Sequence, residues 1–345
     1  MNHNRPRIIS LFLMILTAMM MTGLFPVGTM AHGKSLNRMD ANSGESTIKV
    51  AAAQILTGYD IESNLEKIVT AVREAHEQGC KIILFHEGCL AGYPDGEHIG
   101  EIDFARVREG ERQIRDLAGE LDIAVLLGSC SKEESGYYDY VLVINEDGQV
   151  LGRYVKTWRA GEPHYTAGTG PVIFRVAGVE ATVIICHDLR YPSLARLGVA
   201  AGAQIVFIAN NESGITAEHK LLGYRSMQIA RATENMIYSV MSNAPADPEN
   251  LQRSNTSHGN SKIVDPMGNV LDEATVFEER LVTATLDLSR ADRSTVLRTM
   301  GKNKHTEELY GVQYENPEIS KWILEGVKLV RRLDGSDIPD YLQKR

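Results

Sequence analysis

Glu87, Lys156 and Cys186 each follow a short apolar run that reads as a β-strand: KIILFH before the glutamate, QVLGRYV before the lysine and ATVII before the cysteine. In layered α/β folds, strand ends and the loops after them are where functional groups gather. A carboxylate, an ammonium and a thiol are together what hydrolysis of an amide or nitrile requires. The thiol attacks carbon as its thiolate, so it needs a base nearby. A carboxylate serves when desolvation lifts its pKa toward working pH. Negative charge developing on the substrate needs a fixed cation or aimed donors. Lys156 offers the charge, and the backbone N–H of His187 is a candidate second donor. Spacing does not single these residues out, since any chain of this size has Glu, Lys and Cys near strand ends. Taken alone, Cys186 reads as a buried structural thiol, Glu87 as a solvated strand-end acid and Lys156 as a surface lysine.

The elements that must position them alternate along the chain. TIKVAAAQ reads as a first strand. A helix follows from Ser63, where Ser63 and Glu66 fit a capping box and Ile61, Leu65, Ile68, Val69 and Val72 recur at helical spacing. FARVREGERQIRDLAGEL is helical and IAVLLGSC a strand. YYDYVLVI and QVLGRYVK flank Asp147-Gly148, a hairpin signal. YPSLARLGVAAG and residues 216–234 are helical, with the strand QIVFIA between them. MIYSVMSN, SKIVD, NVL and LVTATLDL complete the strands, and the tail beyond about Thr295 is polar and mixed. Two sets of βα units with hairpins between them argue for one α/β layered domain.

Bulk properties narrow the setting. With 345 residues, 43% of them apolar, the chain can build one large core or two modest ones. MNHNRPR is a basic start, IISLFLMILTAMMMTGLF is almost wholly apolar, and PVGTMA ends in small residues at Thr29 and Ala31. This is the three-part pattern of a secretory signal peptide over residues 1–31, with cleavage after Ala31. An uncleaved anchor helix is the alternative, because the apolar run approaches spanning length. Residues 32–46 read as a flexible lead-in, 47–290 as the catalytic domain and 291–345 as a C-terminal extension. The expected location is periplasmic or secreted, or tethered at the N-terminus. Losing Arg5 and Arg7 takes the formal charge from −9 to −11, and an acidic chain without a basic run is a poor partner for nucleic acid. Cys80, Cys89, Cys130 and Cys186 make an even count, which in an exported chain hints at disulfides. The domain is large for a disulfide-stapled fold, and small buried hydrophobes suit Cys80 and Cys130.

The words FHEGCLAGYP, GRYVKTW and IICHDLRYP, in this order, resemble the nitrilase or carbon–nitrogen hydrolase superfamily. The resemblance extends to VAAAQ, NLEKI, AGAQIVFIAN, ARATENMIYSV and GNSKIVDPMGNVL, over residues 47–290. It implies a four-layer α-β-β-α sandwich and a Glu–Lys–Cys triad, with Glu87 as general base, Lys156 as the oxyanion-stabilising lysine and Cys186 as nucleophile. A second glutamate often follows the lysine in a short loop ending in an aromatic and a glycine. GEPHYTAG has that form, so Glu162 is its candidate. The resemblance implies no metal or organic cofactor, and a homodimer or larger homo-oligomer. Three departures leave the substrate open: His86 stands where Pro is common, Ser193 where Glu is common, and His187 where Tyr, Trp, Asn or Asp are frequent.

Asp188 and Arg190 are expected to position the loop after the nucleophile by hydrogen bonds and an ion pair; Arg190 could equally face a substrate carboxylate. His164 and His187 lack HExxH or CxxC spacing and read as loop histidines rather than metal ligands. The expected protein is an exported hydrolase that cleaves a non-peptide amide or carbamoyl bond of a small molecule through a cysteine thioester, releasing ammonia. The alternatives are nitrile hydrolysis by the same triad, acyl transfer to an amine, a metallohydrolase, and a non-catalytic binding protein on the same scaffold.

Overall fold

Side chains alternate across a strand, so each strand feeds two layers at once. In β1 (Thr47–Gln54), Val50 and Ala52 face one core while Ala51 and Ala53 face another. That alternation, repeated strand by strand, builds the molecule. The computed structural model describes residues 47–94, 96–212, 218–251, 257–300 and 316–342, except 337 and 339. The signal-like stretch and the lead-in lie outside the described residues.

One six-stranded sheet contains β1, β2 (Ile82–Leu84), β3 (Ala124–Glu133), β4 (Gly136–Ile144), β5 (Val150–Val155) and β12 (Arg280–Asp287), in the order β12-β1-β2-β3-β4-β5. A seven-stranded sheet contains β6 (Val172–Val176), β7 (Val179–Ile185), β8 (Ile205–Asn210), β9 (Tyr238–Asn243), β10 (Lys262–Val264), β11 (Val270–Glu273) and β13 (Arg331–Leu333), in the order β11-β10-β9-β8-β7-β6-β13. The inner faces meet in a core that includes Val50, Leu84 and Val141 from the first sheet and Phe174, Val183 and Phe207 from the second.

Helices α1 (Ile61–Glu77) and α2 (Phe104–Leu121) cover the outer face of the first sheet, burying Leu65, Ile68, Val72 and Ile114 against Ile83, Val125 and Leu127. Helices α3 (Pro192–Ala201), α4 (Glu218–Thr233), α5 (Ser294–Thr299) and α6 (Pro317–Val327) belong to the outer face of the second. There Leu194, Val199 and Tyr224 pack on Ile184, Val206 and Ile208. Each such aliphatic side chain contributes about 1.5–3 kcal/mol on burial. The result is the four-layer α-β-β-α sandwich that the sequence words imply.

Two local expectations are corrected. The cap of α1 is Asp60, not Ser63: Asp60 is extended, and its carboxylate accepts the N–H groups of Glu62 and Ser63 at 3.1 and 3.4 Å. Asp satisfies the orphan donors of a first turn as well as Ser does, and placing it here lets Ile61 start the buried stripe. The tail is not merely polar. It carries α6 and β13, and β13 pairs in parallel with β6, Arg331 beside Val172 and Leu333 beside Phe174. All four cysteines are buried free thiols.

Candidate active site

Strand direction brings the chemistry to one end. β2, β3 and β5 run the same way in the first sheet, since β2 and β3 are parallel and β4 is antiparallel to both β3 and β5. β7, β8 and β9 run parallel in the second. Glu87 follows β2, Lys156 follows β5 at once, Cys186 follows β7 at once, and Glu212 lies two residues past β8.

The segment that carries Glu87 crosses β3 closely. Phe85 N–H donates to Leu126 O at 2.9 Å, and Leu90 N–H to Gly128 O at 3.1 Å. A Cβ on Gly128 would sit 1.9 Å from the carbonyl oxygen of His86, so only glycine admits this crossing. The buried His86 ring lies 2.9 Å from Glu87 O and 3.1 Å from Ile55 O, which ties the segment to the end of β1. Burial lowers that imidazole to about 4. It is neutral at physiological pH and donates to one of the two carbonyls at a time.

Lys156 is the hub. Its ammonium donates to Glu87 Oε1 at 2.6 Å, Glu162 Oε1 at 2.9 Å and the Tyr93 hydroxyl at 3.1 Å. An ammonium has three N–H bonds, so all are engaged at rest. Tyr93 in turn donates to Glu162, whose other oxygen accepts the N–H of Ala160. Asp139, from β4, lies 3.8 Å from the ammonium. Burial works against the lysine's charge, but Glu87 and its neighbours outweigh it and hold the pKa well above the ordinary lysine range. Burial raises Glu87 well above its usual 4.5; Lys156 pulls it down, while Asp139 and Glu162 add to the rise. Asp139 itself is pushed up to about 6, mainly by burial. Burial also acts to raise Glu162, but Lys156, Tyr93 and the Ala160 N–H prevail and lower it. Three carboxyls thus share one cation, and the two most buried of them, Glu87 and Asp139, are the ones made more basic.

Cys186 sits at φ +43°, in the left-handed region that a residue with a Cβ rarely enters. Such a conformation costs about 1–3 kcal/mol and persists only where the surroundings fix it. Asp188 does the fixing. Its carboxylate accepts the N–H groups of Ile185 at 3.1 Å and Trp158 at 2.7 Å, and the Tyr154 hydroxyl at 2.7 Å. Tyr154 belongs to β5 and Ile185 to β7, so one buried acid links the strand ends that carry Lys156 and Cys186. Burial raises the Cys186 thiol well above 9; Glu87 and Glu212 add to this, Lys156 opposes it. The resting group is a thiol, and reaction calls for a base.

The expected Asp188–Arg190 ion pair does not form among the described residues. Asp188 is spent on the donors above and on the Thr157 N–H at 3.5 Å, and the Arg190 guanidinium lies over the Tyr224 ring at 5.2 Å from its centroid. Arg190 is exposed. His187 is half-buried and meets Tyr191 edge-on at 5.7 Å, and Tyr191 stacks on Trp158 at 4.5 Å. The structure therefore gathers Glu87, Lys156, Glu162 and Cys186 in one cluster and sets His187 and Arg190 around it. Tyr93, Asp139 and Glu212 belong to the cluster too, although sequence reading passed them over. Tyr93 was visible in the word CLAGYP. Glu212 stands after the strand-like QIVFIA, so the strand-end rule applies to it as it does to Cys186.

A two-sheet sandwich with a thiol, a lysine and paired glutamates at its strand ends defines a class of hydrolase. The carbon–nitrogen hydrolase model matches residues 49–294, and the chain belongs to that family. It is a hydrolase acting on carbon–nitrogen bonds other than peptide bonds. A probable nitrilase of Schizosaccharomyces pombe is 28% identical over 241 residues, covering 67% of this chain and 85% of the relative. The N-carbamoylputrescine amidase of Arabidopsis thaliana is 26% identical over 272 residues, covering 72% and 90%. The fold matches that of an amidase from Nesterenkonia sp. AN1 with a TM-score of 0.62 at 24% identity, over 71% of this chain and 92% of that one.

Proposed function

We propose that this protein cleaves the primary amide or carbamoyl bond of a small molecule through a thioester on Cys186. The observation that carries this reading is the buried cluster at the strand ends, where Lys156 donates to Glu87 at 2.6 Å and to Glu162 at 2.9 Å beside the buried thiol of Cys186. Glu87 takes the Cys186 proton as Sγ bonds to the carbonyl carbon. Lys156 and the His187 N–H receive the oxyanion. To do so, Lys156 trades one of its three resting hydrogen bonds. The proton passes to nitrogen, the C–N bond breaks, and ammonia leaves. Water then attacks the thioester and gives its proton to Glu87, which returns it to sulfur as the C–S bond breaks. Glu162 keeps the lysine charged and aimed. A similar sequence in an N-carbamoylputrescine amidase supports a carbamoyl substrate for this one.

In this reading Arg190 receives a substrate carboxylate. It is exposed, and its guanidinium rests over the Tyr224 ring at 5.2 Å from the centroid. Ammonia release from succinamic acid, butyramide, an N-carbamoyl amino acid and butyronitrile tests both points. The expected result is turnover of the amides or the carbamoyl compound. Arg190→Lys should raise KM about 10-fold or more for succinamic acid and little for butyramide, because a lysine cannot make the two parallel bonds of a guanidinium. Equal slowing of both amides would leave Arg190 a loop brace only, and no turnover of any of the four would sink the reading itself.

The same proposal places the enzyme outside the cytoplasm, on the strength of its basic, apolar and small-residue N-terminal pattern. N-terminal sequencing of mature protein from its native host is expected to begin near His32. Intact Met1 in a soluble fraction would contradict this.

A further inference from the structure

Cys186 has a carboxylate neighbour that the scheme above does not use. Glu212 is buried, and its Oε2 lies 3.8 Å from Cys186 Sγ. β7 and β8 pair in parallel with Ile185 beside Ala209, which brings the residues after β8 alongside the nucleophile. The backbone of Glu212 is held in turn, its carbonyl accepting the Ser257 hydroxyl at 2.5 Å. Among the described residues the carboxylate partners of Lys156 are Glu87, Asp139 and Glu162.

For thiolate formation this placement is a disadvantage. A second negative charge beside the sulfur raises its pKa. The base and the fixed cation are already supplied by other residues, so Glu212 must serve another part of the reaction. Once Sγ has bonded to the scissile carbon, the substituents of that carbon lie one bond further out. An acceptor 3.8 Å from Sγ then falls within hydrogen-bond reach of one of them. The oxygen goes to Lys156. The remaining heteroatom of a primary amide is its NH2, and a ureido group keeps that NH2 beside its substituted N–H.

Resting on the thioester reading, we infer that Glu212 is a specificity-determining residue that accepts an N–H of the scissile NH2. The protein is therefore selective for primary amides and carbamoyl groups over nitriles and esters, which carry no N–H at that position. A carboxylate offers about four acceptor sites, so contacts with the thiol and with Tyr224 do not by themselves exhaust it. The bond strengthens along the reaction, because the nitrogen gains positive character as it takes the proton that began on sulfur. Glu212 itself neither gains nor loses a proton. That proton travels by way of Glu87, and the nitrogen departs as ammonia.

The test compares butyramide, methyl butyrate and butyronitrile with the full-length protein, and succinamic acid with monomethyl succinate as an acidic pair. In Glu212→Leu the amide-to-ester ratio of kcat/KM is expected to fall about 10- to 100-fold, the range for losing a hydrogen bond to a charged group. Glu212→Gln keeps an acceptor without the charge, so its ratio should lie between wild type and Leu. It also serves if the Leu variant does not fold. Amide and ester declining in step would overturn the inference and leave Glu212 a structural neighbour of the thiol. So would a wild type that prefers butyronitrile to butyramide. Ester turnover by the wild type reports on the thioester chemistry alone, so the two readings can fail separately.

Discussion

Cys186→Ala is expected to reduce ammonia release by about 10⁴-fold or more, with the fold retained. Removing a catalytic nucleophile abolishes the covalent route, and the remaining groups keep only what binding and charge stabilisation supply. The cost in stability should be modest, about 1 kcal/mol, because alanine removes only one buried sulfur and leaves the β7 strand and the Asp188 brace in place. Thermal melting of wild type and variant checks the second point. Iodoacetamide should inactivate the wild type faster as pH rises, since burial and two carboxylates hold the thiol protonated, and substrate should protect it. A variant that keeps a tenth of wild-type turnover would show that the thiol is not the nucleophile.

The second large effect separates base from cation. Glu87→Gln keeps shape and loses the proton acceptor, and a loss of about 10²–10⁴ in kcat/KM is expected. In the wild type, Glu87 must be ionised to act. Its pKa is raised, so activity should fall on acidification through a pH well above 4.5, rather than below it. Lys156→Gln should cost roughly 10²–10³, the worth of a buried oxyanion donor. It should also move the acid limb to higher pH, because Lys156 is the group that pulls Glu87 down. Activity against pH from about 4 to 9 for both variants reads this out. Mild losses of about two-fold in both, or an acid limb that stays put without the lysine, would contradict the assignment.

Much of the sandwich was legible because its strands are apolar runs bounded by turns. Three residues of the candidate site, Glu87, Lys156 and Cys186, were legible because they follow those runs inside distinctive words. What escaped has physical causes. β6 is five residues long, preceded by Pro171, and interrupted by the exposed Arg175. β13 is RRL, a strand only because the open edge of β6 gives it a partner. No local pattern predicts pairing of that kind. The α1 cap slipped because Asp60 and Ser63 both suit the role, and the choice between them is made by where Ile61 must be buried. The Asp188–Arg190 pair failed for a different reason. Adjacent opposite charges suggest each other in sequence, but a buried carboxylate goes where backbone N–H groups need it. Glu212 sits in the unremarked triplet NES, and its nearness to the thiol follows from the register of β8 on β7.

The pairing of β13 with β6 also sets an order of events during synthesis. Val172 finds its partner Arg331 only about 160 residues further along the chain. At about 5–20 residues per second, translation leaves that edge uncovered for roughly 8–30 s. During this interval the strand next to the nucleophile-bearing β7 presents a row of unmatched backbone groups, the template on which nascent chains associate wrongly. A holdase bound to the nascent chain through this window would protect the half of the molecule that carries Cys186. Loss of the RRL strand would leave the same edge open for good, and its first consequence would be aggregation rather than loss of catalytic geometry.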